Sequence, residues 1–118
     1  MTSDQMLLDV FTTALEGGIG YWSQASAYHW RKNGQDDLEG FYAVVYDVEG
    51  DTPDKPLRID REVIKKGIAA ILKPEFRIAA YIRKDVFGIQ FDDEDGDYDA
   101  ETADCIVQAG LFGELVYG

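Results

Sequence analysis

The sequence predicts an α+β domain in which about three helices pack on a small antiparallel sheet containing a hairpin, with residues 1–118 forming a single unit. Three observations lead there. Apolar residues recur at helical spacing near the N-terminus and again after Asp60. Between these segments lie two stretches rich in aromatic and β-branched residues, which suit strands. The chain of 118 residues, 46% apolar and 29% charged, is long enough for one hydrophobic core and too short for two.

The first helix follows Thr2 or Ser3 as N-cap. Its stripe is Met6, Leu7, Val10, Phe11, Ala14 and Leu15, Asp4 suits the dipole of its first turn, and Gly17-Gly18 is expected to supply a left-handed stop. From Ile19 to Arg31, Tyr21, Trp22, Tyr28 and Trp30 alternate with small polar residues, and Phe41 to Val48 is the next strand-like stretch. Asn33-Gly34 lies in the connection, so a hairpin is expected, with a loop too long for a simple two-residue turn and a register left open. Residues 49–56 read as a polar loop. Asp60 then caps a second helix with Ile59 stapled onto Ile64, apolar positions at Val63, Ile64, Gly67, Ile68, Ile71 and Leu72, and an end at Lys73-Pro74. Residues 75–84 fit a helix or a strand equally well, while the alternation of Phe87, Ile89 and Phe91 favours a strand. A last helix starts near Asp99, carries Ala103, Ile106, Val107, Gly110 and Leu111, and leads into a packed C-terminus.

Charge narrows the function classes. Twenty-three Asp and Glu against 11 Lys and Arg give a net charge of −12 and a pI near 4.2. Direct binding to nucleic acid or to an anionic membrane needs a cationic surface and is not expected. No apolar run approaches the roughly 18 residues of a membrane span. The opening Met1-Thr2-Ser3-Asp4 lacks the basic start of a signal peptide, so a cytoplasmic location is expected, the host cytoplasm if the chain is phage-encoded. One cysteine, Cys105, and one histidine, His29, supply neither a disulfide nor a usual zinc site, and no cofactor is expected.

The most unusual feature is the acidic run Asp92-Asp93-Glu94-Asp95-Gly96-Asp97. A calcium loop of the EF-hand type with Gly96 at its sixth position would put Phe91 first and Thr102 twelfth, where carboxylates are required, so no metal site is assigned. The run reads as a solvated, self-repelling loop or as an acidic contact surface for a basic partner, a surface to which Asp36, Asp37, Glu39, Asp47, Glu49, Asp51 and Asp54 would add. On the second reading Asp92, Asp93, Glu94, Asp95 and Asp97 are the partner-binding residues.

Eight of the 11 basic residues fall between Arg58 and Lys84, which polarises the chain. They read as the exposed face of the second helix or, more sharply, as an anion pocket in which Arg58 or Arg61 clamps a phosphate at the helix start. Joined to a stacking platform of Tyr21, Trp22, Tyr28 and Trp30, that pocket would bind a nucleotide. Core packing is the plainer fate for those rings. His29 with Ser23 or Ser26 lacks a nucleophile elbow or an oxyanion loop, so no enzymatic activity is assigned.

Two segments carry a resemblance: Ala14-Leu15-Glu16-Gly17-Gly18-Ile19-Gly20-Tyr21-Trp22, and the stretch from Ala103 to Gly118 that begins Ala103-Asp104-Cys105-Ile106-Val107-Gln108. Together they resemble a family of small acidic proteins of actinobacterial phages and prophages that lacks an assigned activity. The resemblance covers the two ends of the chain and implies context only: an accessory protein acting on a host or phage component. The expected function is therefore an interaction protein whose acidic surface binds and inhibits a basic, nucleic-acid-handling or defence protein of the host as a nucleic-acid mimic, with nucleotide binding as the alternative. An exposed strand also leaves room for a homodimer.

Overall fold

The computed structural model describes residues 2–91 and 98–118. The architecture is α+β, with a three-stranded antiparallel sheet covered on one face by helices and a two-stranded ribbon at one end. The described residues hold four helices: α1 (Asp4–Thr13), α2 (Arg61–Ile71), α3 (Ala80–Phe91) and α4 (Ala100–Phe112).

Helix α1 starts where expected, with the Ser3 hydroxyl accepting from the Met6 N–H at 3.1 Å. Its end differs from the sequence reading. The chain does not stop on a left-handed glycine but widens into a π-helical turn over Ala14–Gly18, and neither Gly17 nor Gly18 has a positive φ. Gly18 is needed for space instead, because a Cβ there would lie 2.9 Å from the Ala100 carbonyl oxygen.

The sheet has the order β1-β4-β5, formed by β1 (Ser23–His29), β4 (Tyr42–Asp47) and β5 (Pro56–Asp60). The expected hairpin is present in extended form. Strands β1 and β4 pair from Ser23↔Asp47 to His29↔Tyr42, with a bulge between Ala25 and Ala27, and the chain between them forms a ribbon of β2 (Arg31–Lys32) and β3 (Gln35–Asp36). Asn33 and Gly34, at φ of 56° and 79°, make its tight turn, the backbone that Asn-Gly tolerates best. Strand β5 is an addition to the sequence reading, which took Glu49 to Pro56 as loop, placed no strand before the Asp60 cap and expected the further strand at Phe87 to Phe91 instead. Proline stands at its first residue, on the sheet edge, where a missing N–H costs least.

Asp60 caps α2 by accepting from Val63 N–H, and Ile59 and Ile64 are both buried, as a staple requires. Of residues 75–84, which the sequence left open between helix and strand, 75–79 are turn and irregular chain and Ala80 onward is helix, the start of α3. The alternating Phe87, Ile89 and Phe91 gave the wrong period, because only Ile89 is buried, together with Ile82 and Val86 at helical spacing. Phe87 and Phe91 stay 56% and 60% exposed and pack on one another at 4.6 Å.

Helix α4 is the centre of the molecule. Every residue from Thr102 to Gly110 is buried, the pattern of a helix surrounded on all sides. It meets α2 backbone to backbone: a Cβ on Gly67 would lie 2.0 Å from the Ile106 oxygen, and one on Gly110 would lie 2.1 Å from the Val63 oxygen. Since backbone cannot yield as a flexible side chain does, Gly67→Ala is expected to lose about 2 kcal/mol or more, despite gaining up to about 1 kcal/mol of helix propensity. Gly88→Ala in α3, with nothing within 4 Å of its new methyl, is expected to gain up to about 1 kcal/mol instead. Urea titrations followed by circular dichroism check both signs.

Candidate functional site

The register of the sheet creates a groove. Val45 and Ala43 of β4 face the helices and are fully buried, and their cross-strand partners on β1 are Ala25 and Tyr28. Those two remain exposed, Tyr28 at 60%, because the helical layer stops short of the edge strand. The overhang leaves a groove of about 450 Å³ between α1 and β1. Leu8, Leu15, Ala25, Tyr28 and Trp30 give it apolar walls, and Asp9, Glu16 and Asp36 give it an acidic rim. Tyr28 and Trp30 stack at 4.9 Å, which holds both rings against the wall. On α1 the groove takes Gln5, Leu8, Asp9, Thr12, Leu15 and Glu16, residues three or four apart on one face of the helix and its π-helical continuation. Asp36 lies 3.8 Å from Arg31, an exposed pair worth little in water, and Glu16 forms no ion pair among the described residues.

The position of β1 is set by a buried polar network on α4. The Asp104 carboxylate, 5% exposed, accepts from the Tyr21 hydroxyl at 2.6 Å, from the Trp22 indole Nε1–H at 2.9 Å and from the Gln108 amide at 2.9 Å. One turn on, the Gln108 Oε1 accepts from the backbone N–H groups of Val116 and Tyr117, and its Nε2 also donates to the Tyr117 carbonyl. Tyr117 stacks on Trp22 at 5.5 Å, and its hydroxyl donates to Asp47 at the end of β4. Among the described residues no buried side-chain nitrogen or oxygen lacks a partner.

These bonds also fix protonation states. Burial and the bond to Asp104 raise the Tyr21 pKa, partial burial and the bonds to Asp47 push Tyr117 up to about 12, and burial pushes the Cys105 thiol up to about 12. Tyr21, Tyr81, Glu101, Asp104 and Cys105 line a second hollow of about 700 Å³. It holds no activated nucleophile: the thiol is protonated near neutrality, and both phenols are bound to carboxylates, Tyr21 to Asp104 and Tyr81 to Glu101.

The residues singled out in the sequence are dispersed. Asp92, Asp93, Glu94, Asp95 and Asp97 lie outside the described residues. The four aromatics divide into two pairs at opposite ends of β1: Trp22 is wholly buried and Tyr21 serves Asp104, whereas Tyr28 and Trp30 line the groove. The two arginines are elsewhere. The Arg58 guanidinium lies 4.3 Å over the Tyr42 ring and 3.3 Å from Asp60, and Arg61 bonds Asp4 at 2.7 Å and Glu62 at 3.2 Å. The start of α2 is occupied by its own Asp60 cap. Tyr28 and Trp30 line the groove, Tyr21 lines the second hollow, and Arg61 lines a third beside Asp4 and Gln90. His29 pairs with Asp37 at 2.8 Å; that bond and the Gly40 N–H hold the Asp37 carboxyl below its ordinary range. The Ser23 hydroxyl donates to the Ile19 carbonyl and that of Ser26 to the Val44 carbonyl.

No protein-family model, curated protein or solved structure matches the chain.

Two outcomes follow from the network. Asp104→Ala strands the buried Trp22 N–H and removes one acceptor of the Gln108 amide, and is expected to cost about 3 kcal/mol, whereas Asp104→Asn keeps an acceptor for both and is expected to cost about 1 kcal/mol. Chemical denaturation of the two variants checks the order. Tyr21, Tyr117 and Cys105 all have folded pKa values above those of the unfolded chain, so each contributes stability that is complete below its unfolded value. That stability is lost as pH rises from the ordinary thiol value of 9.0 through about 12, so the urea midpoint is expected to hold level to about pH 8.5 and then to fall.

Proposed function

We propose that the protein is an interaction protein whose acidic surface occupies the cationic, nucleic-acid-binding site of another protein, as a phage-type accessory protein acting on a host component would. One observation carries this reading: the negative charge is not neutralised within the fold. Asp9, Glu16, Glu39, Glu49, Asp51 and Asp54 form no ion pair among the described residues, and all six are exposed. They lie on α1, its π-helical continuation and the loops flanking β4, and the five carboxylates between Asp92 and Asp97 add to them.

Carboxylates presented in number resemble a phosphate backbone to an array of Lys and Arg. They speed the encounter by long-range attraction and deny the site to nucleic acid once bound. Charge of this kind acts over about 10 Å at 0.1 M salt and is screened as salt rises. The acidic protein excludes nucleic acid from its own surface, so it would compete with nucleic acid for the partner rather than bridge to it.

The test is capture by the immobilised protein from a host lysate at low salt, with duplex DNA as competitor. Proteins that themselves bind nucleic acid are expected on the column, displaced by duplex and eluted by salt. A variant carrying Asp92→Asn, Asp93→Asn, Glu94→Gln, Asp95→Asn and Asp97→Asn is expected to retain less than about a tenth of them. Equal capture by that variant, or capture indifferent to duplex, overturns the reading.

A further inference from the structure

We infer that the groove between α1 and β1 binds an extended basic segment of the partner, which adds as a strand to the free edge of β1 and lays Lys or Arg side chains across the groove. This rests on the acidic-surface reading and gives it a mode of contact.

The sheet has two edges, and they differ. Strand β5 begins with Pro56 and carries Arg58, features that blunt an edge against further pairing. Strand β1, Ser23-Gln24-Ala25-Ser26-Ala27-Tyr28-His29, carries no proline, lysine or carboxylate, and it pairs on one side only among the described residues. Five consecutive residues, Gln24 to Tyr28, are exposed on both faces, and the middle three, Ala25, Ser26 and Ala27, have small side chains that leave the backbone within reach. The one irregularity is the bulge, where the Ser26 hydroxyl donates to Val44 O; it limits unbroken pairing to the residues on either side of Ser26.

Chemistry selects the occupant. A strand on this edge turns alternate side chains toward the helices, along the apolar walls that include Leu8, Leu15 and Trp30, with Asp9 and Glu16 on the rim. A side chain with an apolar stem and a cationic head satisfies both: the stem covers the walls and the head meets the carboxylates. No Lys or Arg lines the groove to oppose it. The other side chains of the added strand continue the open face of the sheet beside Ala27 and Val44, where β-branched residues fit. The motif is thus Lys or Arg alternating with Thr or Val, held by main-chain hydrogen bonds with specificity from alternate pockets.

The probe is a peptide of about nine residues alternating Lys and Thr, long enough to span β1. Its control has the same sequence with alternate amides N-methylated, so that charge is kept while the bonding edge is blocked. Titration of the isotope-labelled full chain at low salt is followed by amide chemical shifts and hydrogen exchange. The parent peptide is expected to slow exchange in β1 and leave β5 unchanged, and N-methylation is expected to weaken binding about tenfold or more. The variant pair Asp9→Asn with Glu16→Gln is expected to weaken the parent about fivefold. Equal binding of the two peptides without protection of β1 overturns strand addition while leaving the acidic-surface reading standing. Shifts centred on another face, or binding of neither peptide, overturn the inference too. Edge amides of β1 already protected in a dimer without peptide would make a second copy the occupant and equally overturn it. Failure of the acidic-surface reading itself is registered separately, by the indifference of lysate capture to duplex or to the neutralised run.

Discussion

The arrangement depends on two helices touching where neither has a side chain. With Gly67 and Gly110 facing backbone, α2 and α4 approach more closely than any pair with Cβ atoms at those positions permits, and this draws α4 into the middle of the molecule. A helix there must be apolar or must satisfy its polar groups internally, and α4 carries Asp104 and Gln108. Their demands recruit the rest: Trp22 and Tyr21 from the approach to β1, the backbone of Val116 and Tyr117, and through the Tyr117 hydroxyl the end of β4. The same crowding explains Gly18, whose bare Cα lets the π-helical turn pass over the start of α4. Placement of the edge strand, and with it the groove, is the far end of this chain of causes.

The charge distribution follows a different logic. Carboxylates used inside the fold are those with fixed donors: Asp60 and Asp99 at helix starts, Asp104 in the core, Asp47 under Tyr117, Asp37 under His29. Those on the loops and on the outer face of α1 repel one another and lower the stability of the compact state. A sequence that tolerates this cost while leaving an apolar groove open among such charges combines two features that each disfavour a purely structural surface.

Much of the fold was legible because local chemistry and tertiary packing agree. Ser3, Asp60 and Asp99 cap the helices that their positions announce, and Asn33-Gly34 makes the turn that its residues favour. The misreadings come from segments where a local pattern imitates another. Phe87, Ile89 and Phe91 alternate by coincidence, since two of them face solvent on a helix. Gly17-Gly18 has the composition of a helix stop, but Gly18 is there for clearance, a reason that exists only once Ala100 is placed beside it. The network was half legible: two polar residues four apart in an otherwise apolar run from Ala103 to Gly110 mark a buried pair, although nothing local names Trp22 or Tyr117 as partners. The groove was less so. Its helix face, Gln5, Asp9, Thr12 and Glu16, is an ordinary amphipathic stripe until the register of β1 sets it opposite Tyr28 and Trp30.

The two tryptophans sit in different surroundings, and this divides the molecule optically. Trp22 is sealed from water, its indole nitrogen bonded to a carboxylate and its ring stacked against Tyr117, while Trp30 is half-buried on the wall of the groove. Their emission is expected to divide into a blue component that reports the integrity of the α4 network and a redder, quenchable component that reports the surroundings of the groove. With one residue of each kind, the protein carries separate built-in probes for folding and for the groove, each isolable by replacing the other tryptophan with phenylalanine.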